Sequence, residues 1–315
     1  MGSDATTAHT ITATREDRRA PIFRMCDAAK SMIRLEDALG REIILAGPAR
    51  RIVSLVPSET ESVAALAGVE RLVGRTSYCE EPAGAIAGVP VIGGTKNVDV
   101  DAVLALAPEL VLANQEENGE RDVARLIDAG LSVHVSFPRS VAGSIAYLRA
   151  LVALLGLGAE GEARVVALEA AIERPPARSR RVFIPIWRDP WMTFDARTYA
   201  SDLLAHAGAI NVFADRARRY PLAADLGEAP SRDAGDRDTR YPRTRIEEIV
   251  SRSPQLVLLP DEPYAFGDAD VAHVEAWGLD AAVERVSGKD LFWYGVRTAG
   301  AIERLRARLE RTGSL

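Results

Sequence analysis

The sequence predicts an α/β protein of two lobes, each built on a mostly parallel sheet and joined by one rigid backbone helix. Three observations lead there. An element recurs: residues 101–114 read DAVLALAPELVLAN and residues 247–260 read EEIVSRSPQLVLLP, so in both an acid stands seven positions ahead of a proline and a short apolar strand follows. Short, continuously apolar runs alternate with helical patterns, as strands covered by helices on both faces require. Residues 158–174 carry an unbroken helical pattern stopped by Pro175 and Pro176; at 1.5 Å per residue it would span about 25 Å and serve as a stiff connector. The lobes so defined are Rossmann-like and occupy residues 33–157 and 177–315, with the connecting helix at 158–176 and a disordered leader over 1–32.

Within the first lobe, RLEDALGREIIL at 34–45 predicts a hairpin turning at 37–40. RIVSLV at 51–56 is a strand, and Pro57-Ser58-Glu59-Thr60-Glu61 leads into a helix with Val63, Leu66 and Ala67 on its apolar side. Ser58 and Glu61 have the spacing of a capping box. A strand at 72–74, a helix from Asp101, a strand at 110–113, a helix at 120–129 and a strand at 132–135 follow. Residues 144–155 form an apolar-faced helix ending at Gly156. The second lobe repeats the scheme with a strand at 181–186, a helix at 199–207, the helix and strand at 247–259, and a last helix at 299–310. Residues 221–240, rich in Gly, Pro, Asp and Arg, read as a long surface loop.

A chain of 315 residues that is 47% apolar has material for a substantial core and for roughly two domains. Its net charge of −6 and the lack of a basic stripe exclude a nucleic-acid surface. Lys30, Lys96 and Lys289 are the only lysines, a bias read as genome composition. Cys26 and Cys79 make no CxxC pair and read as free thiols. GLGAEG at 156–161 matches GxGxxG but follows a helix where a dinucleotide site needs a strand. GxxxxGK[ST], GxSxG and HExxH do not occur, and His9, His134, His206 and His273 are scattered; His134, inside an apolar strand, reads as a core residue. No enzymatic activity is therefore expected. No run reaches the ~18 apolar residues of a membrane span. The first thirty residues contain no apolar signal core, so the sequence as written predicts a cytoplasmic chain unless Met25 or Met32 is the true start.

Ligands of open α/β sheets bind beyond the carboxyl ends of the strands. The richest such segment is WRDPWMTF at 187–194, where Trp187, Arg188 and Trp191 either line a cleft or pack on the loop that follows. Ser58 and Glu59 follow the first strand of the first lobe, Asn114, Glu116 and Asn118 follow LVLA, Glu262 follows LVLL, and Trp293 and Tyr294 add a late aromatic cluster. A cleft rich in aromatic groups with a few amides and carboxylates suits a large, flat, partly apolar ligand. Asp101 and Glu247 each stand in a first helical turn, where the helix dipole stabilises an acid by about 0.3 to 1 kcal/mol. A matched pair of acids could equally dock on basic pockets of a partner.

Several blocks in order resemble the iron-siderophore and vitamin B12 class of ABC-transporter substrate-binding proteins, the helical backbone metal receptors: DALGR at 37–41, RIVSLVPSETE at 51–61, VGRTSYC at 73–79, GGTKNVDVD at 93–101, the APELVLAN and SPQLVLLP strands, IWRDPWMTF at 186–194 and WYG at 293–295. The resemblance spans about residues 35–309. It implies a ligand cleft between two lobes and one acid per lobe, here Asp101 and Glu247, contacting arginines of a permease. It places Tyr78 at a ligand-stacking tyrosine and Tyr241 at a cleft aromatic of the vitamin B12-binding members. Asn114 stands where those members have tryptophan, and Asp101 is shorter than their glutamate. The implied ligand is cobalamin, with haem or an iron-siderophore as alternatives, held without a covalent cofactor or a direct metal ligand by a monomer. The alternative function is a cytosolic corrinoid-handling or sensing protein without a permease.

Overall fold

The computed structural model describes residues 32–311. The leader expected over 1–32, and with it Cys26, lies outside the described residues except for Met32. An antiparallel hairpin opens the described chain, β1 (Ile33–Glu36) with β2 (Glu42–Leu45). Asp37 closes its turn by accepting from the backbone amides of Leu39 at 2.9 Å and Arg41 at 3.1 Å.

The first sheet is built from β3 (Ile52–Ser54), followed by α1 (Pro57–Ala67), β4 (Leu72–Arg75), α2 (Val100–Ala105), β5 (Leu110–Asn114), α3 (Glu120–Asp128) and β6 (Val133–Ser136). Its order is β4-β3-β5-β6, and all neighbours are parallel. The β5 residues are all buried, because helices cover the sheet on both faces. Leu112→Ala there would cost about 2 to 5 kcal/mol. Gly74 in β4 faces the Leu106 and Val53 side chains so closely that a methyl group would lie 2.8 Å from Leu106 Cδ1, which explains a glycine inside a strand.

Two helices leave this sheet in succession, α4 (Val141–Leu155) and α5 (Gly158–Ile172). Ser140 caps α4 by accepting from the Gly143 amide at 2.9 Å, and Gly156 ends it at φ 64°, a conformation glycine adopts without penalty. At the far end of α5 the buried Arg306 donates to the carbonyls of Ile172 at 3.3 Å, Arg174, and His206 at 2.9 Å. It thus satisfies carbonyls that two helix ends leave orphaned.

The second sheet comes from β7 (Arg180–Phe183), a short β8 (Trp191–Met192), α6 (Tyr199–Ala207), β9 (Ala209–Asn211), α7 (Leu222–Asp225), β10 (Arg243–Thr244), α8 (Ile246–Ser251), β11 (Leu256–Pro260), α9 (Asp268–Glu275), β12 (Ala282–Val286), α10 (Lys289–Phe292) and α11 (Thr298–Arg311). The order is β12-β11-β7-β9, again parallel throughout, with β8 and β10 paired antiparallel outside it. The two-lobe parallel α/β fold read from the sequence is therefore the observed one.

Several local expectations need correction. Ser58 and Glu61 make no capping box: Pro57 occupies the first helical position, Val56 is the N-cap without a side-chain bond, and Glu61 pairs instead with Arg297 at 2.6 Å. The strand expected over 181–186 ends at Phe183, and the two edge strands β9 and β12 had no visible signal. β12 carries Glu284 and Arg285 in its middle and is only half-buried, as an edge strand can be. The segment 221–240 is not all loop, since α7 lies inside it and presents Asp225 to the buried Arg216 at 3.0 Å.

Candidate functional site

In both sheets the strand order reverses direction at one place, between β3 and β5 in the first and between β7 and β11 in the second. A crevice opens at such a switch point beyond the carboxyl ends of the strands. The segments there are Ser58–Glu59 and residues 114–118 on one side, and residues 186–188 and 261–264 on the other. The two crevices meet, because Tyr294 of the second lobe inserts its hydroxyl into the first: it donates to Glu59 Oε1 at 2.6 Å and accepts from Asn114 Nδ2 at 3.1 Å.

The floor of this junction is a buried polar cluster. Glu59 Oε1 also takes the Ser136 hydroxyl at 2.5 Å, while Glu59 Oε2 and the Ser58 and Tyr147 hydroxyls, all buried, have no partner among the described residues. Burial, only partly offset by the bonds from Ser136 and Tyr294, pushes the Glu59 carboxyl up to about 8. At neutral pH it is largely protonated, which is how a carboxyl persists in a site without a cation. The same burial, with Glu59 nearby, holds the Tyr294 and Tyr147 phenols well above their ordinary range.

The two asparagines are used internally. Asn114 Oδ1 accepts from the amides of Glu116 at 2.8 Å and Glu117 at 3.2 Å, organising the turn after β5. Asn118 accepts from the Asn114 amide at 2.8 Å and donates to the carbonyls of Leu55 and Thr95. Ser58, Glu59, Asn114, Asn118 and Tyr294 are thus buried beneath the strand ends rather than exposed there.

The wall is aromatic and acidic. Tyr78 is 62% exposed and Trp187 47% exposed, high values for side chains of this size. Trp187 meets the Tyr264 ring edge-on at 5.5 Å. Trp293 is nearly buried, donates Nε1–H to Glu262 Oε1 at 2.7 Å, and lies beneath Lys289 at 5.1 Å and Arg297 at 5.3 Å. Glu116 reaches across to the second lobe, accepting from the Tyr241 hydroxyl at 2.9 Å and pairing with Arg240. Lys289 reaches the other way, to Glu81 at 2.8 Å and Glu80 at 3.4 Å. Burial foremost, then Glu262 and Glu116, pushes the Glu117 carboxyl up to about 7.

Trp191 and Arg188 stand apart from the cleft. Trp191 is buried in the second apolar core, stacked on Phe266 at 5.9 Å and edge-on to Trp277 at 4.9 Å, and Arg188 turns to Asp270 at 2.5 Å. Of the two sequence readings for this turn, packing holds for Trp191 and exposure for Trp187. His134 is a core residue as expected, its Nδ1 without a partner among the described residues, and burial pulls its imidazole down to about 4.

Glu117 and Tyr264 belong to the strand-end segments 114–118 and 261–264 read from the sequence, whereas Ser136, Arg240, Lys289 and Arg297, which the structure brings to the same place, were not singled out there. One signal was present: in a chain with three lysines, two of them, Lys96 and Lys289, stand at this cleft, and Lys96 Nζ donates to the Glu116 carbonyl at 2.5 Å. Two open surface depressions lie elsewhere, one of about 310 Å³ beside Glu247 and one of about 530 Å³ between the ends of α5 and α6, and neither is lined by the strand-end residues described above. Among the described residues no group of three or more His, Cys, Asp or Glu could hold a metal ion, and no helix is long and apolar enough to cross a membrane.

Asp101 and Glu247 are exposed in the first turns of α2 and α8. Asp99, not Asp101, caps α2 by accepting from the Ala102 amide at 3.0 Å. Both helices run back against the strands they precede, so both acids stand on the side of the sheets where the strands end, flanking the cleft.

Comparison with known proteins agrees with this architecture. Over 248 residues the chain is 23% identical to a vitamin B12-binding protein of Vibrio cholerae, covering 74% of this chain and 82% of the relative. A vitamin B12-binding protein of Pectobacterium carotovorum is 25% identical over 235 residues, covering 66% of this chain and 85% of the relative. Among solved structures, a periplasmic haem-binding protein from Roseiflexus sp. RS-1 superposes with a TM-score of 0.67 at 21% identity, covering 84% of this chain and 99% of the other. The periplasmic vitamin B12-binding protein BtuF of Vibrio cholerae superposes with a TM-score of 0.61 at 22% identity, covering 85% and 99%. The family described as periplasmic binding protein matches residues 52–285, from the first strand of one sheet to the edge strand of the other, and this chain belongs to that family.

Proposed function

We propose that the chain captures a metal-chelate ligand between its lobes, cobalamin foremost, and delivers it to the permease of an ABC importer. The observation that carries this is the meeting of two parallel sheets at their switch points, with exposed aromatic faces on both lobes, Tyr78 on one and Trp187 on the other. A macrocycle needs large flat apolar contacts with a few polar groups around them, and such a cleft supplies both. The vitamin B12-binding and haem-binding names of its relatives support a tetrapyrrole-like cargo. Residues 33–157 and 177–315 act as the two lobes of the receptor and residues 158–176 as their connector. The family is periplasmic, and an importer receptor works outside the inner membrane.

Titration with cyanocobalamin should quench the tryptophan fluorescence, since Trp187 borders the cleft, and the coloured ligand should survive desalting with the protein. A flat titration would sink the cobalamin reading. Docking rests on Asp101 and Glu247. Replacing both with arginine reverses charge at two exposed, uncapping positions, so uptake should be lost while ligand affinity is unchanged; loss of ligand binding in that variant would instead give the acids a structural role.

A further inference from the structure

The polar groups that the cleft offers a ligand are unequal in sign. Two of its cations are paired with acids, Lys289 with Glu81 and Glu80 and Arg240 with Glu116 and with Asp238 at 2.7 Å, while Lys96 donates to the Glu116 carbonyl and its charge also reaches Glu117. Arg139, at the rim, lies over the Phe137 ring at 5.3 Å. The carboxylates are less engaged. Glu117 is half-buried and its side chain makes no hydrogen bond or ion pair among the described residues, while Glu262 holds one bond, from Trp293. They belong to opposite lobes but to one connected frame: the Glu117 amide donates to Asn114, Asn114 donates to Tyr294, and the neighbouring Trp293 donates to Glu262. Two acceptor carboxylates from opposite lobes, close enough for Glu262 to oppose the charge on Glu117, therefore stand at the strand ends with at most one hydrogen bond each among the described residues.

Resting on the reading of the cleft as a metal-chelate site, we propose that Glu117 and Glu262 set its specificity, admitting a macrocycle fringed with amides or cationic groups and rejecting one fringed with carboxylates. A carboxylate accepts amide N–H donors in charge-assisted bonds about twice as strong as neutral ones. Placed against a ligand carboxylate it is repelled, a cost of several kcal/mol when the charges are juxtaposed. Burial raises both carboxyls, Glu117 to about 7, so the charge on which this discrimination depends is fully developed only above neutral pH, where the comparison should be made.

The test compares cyanocobalamin, whose corrin ring bears amides, with haemin, which bears two carboxylates, on the full chain and on Glu117→Gln, Glu262→Gln and the double variant. The wild-type protein should prefer cyanocobalamin by at least about tenfold. In the double variant cyanocobalamin should weaken by a few-fold and haemin should tighten by about tenfold or more, so that the preference narrows or reverses. Glu117→Gln alone, which removes no hydrogen bond seen among the described residues, should shift the ratio in the same direction. Haemin bound as tightly as cyanocobalamin by the wild type, or a ratio unmoved in both Glu117→Gln and the double variant, would overturn the inference while leaving the metal-chelate reading standing. Binding of neither ligand would overturn both.

Discussion

Glu59→Gln should change how stability depends on pH, and the sign follows from where the carboxyl sits. Glu59 is fully buried at the junction of the lobes, and its pKa rises from 4.5 to about 8. Between those values the folded chain keeps a proton that the unfolded chain has released, so stability is highest in acid, falls as pH rises above about 4.5, and levels off above about 8. With 1.36 kcal/mol per unit, the loss between pH 5 and pH 8 is roughly 3 to 4 kcal/mol. Glutamine keeps the oxygen that Ser136 and Tyr294 bond but never ionises. Its amide would replace Oε2, which has no partner among the described residues, at a cost of about 1 to 3 kcal/mol at every pH. The variant should be less stable than wild type at pH 5 and more stable at pH 9. Urea unfolding followed by tryptophan fluorescence across pH 5 to 9 reads this directly. His134 titrates with the opposite sign below about 6.5, is present in both proteins and cancels in the difference, whereas Glu117, whose charge acts on Glu59, titrates with the same sign and is part of the effect. A difference in stability between wild type and variant that does not change over this range would refute the reasoning.

Arg216→Ala leaves Asp225 buried without its cation, since Arg216 bonds Asp225 at 3.0 Å and Glu248 at 3.1 Å deep in the second lobe; urea unfolding should show a loss of about 3 to 5 kcal/mol, much of it recovered by Asp225→Asn in the same chain. The lobes are tied by Arg297 to Glu61, Lys289 to Glu81 and Tyr294 to Glu59. Ligand binding should accordingly leave the radius of gyration from solution scattering nearly unchanged, and a compaction of the kind hinged receptors show would contradict it.

Much of the fold was legible in the sequence because parallel strands covered on both faces must be apolar without interruption; LVLA before Asn114 and LVLL before Pro260 stand out for that reason. The edge strands β9 and β12 escape the same logic, since one side of each is free to carry charge, as Glu284 and Arg285 do. For the site, the ends of strands were predictable but the direction of each side chain was not. Trp187 and Trp191 are four residues apart in one turn, yet one faces solvent and the other joins Phe266 and Trp277 in the core. Pairings across the cleft, such as Glu116 with Tyr241 or Lys289 with Glu81, join residues more than a hundred positions apart and carry no local pattern. The Ser58–Glu61 spacing misled because Pro57 already starts the helix and Arg297, from the other lobe, claims Glu61.

The claim that the strand-end cleft holds a metal-chelate macrocycle is tested most directly by equilibrium dialysis of cyanocobalamin against the wild-type chain and the Tyr78→Ala, Trp187→Ala double variant. Both side chains are exposed, so truncation leaves the core intact, and each aromatic anchor removed should cost more than about 1 kcal/mol of binding. One ligand bound per wild-type chain, with affinity at least about tenfold lower in the variant, is the predicted result. Absence of binding to the wild type, or equal binding to both proteins, would contradict it.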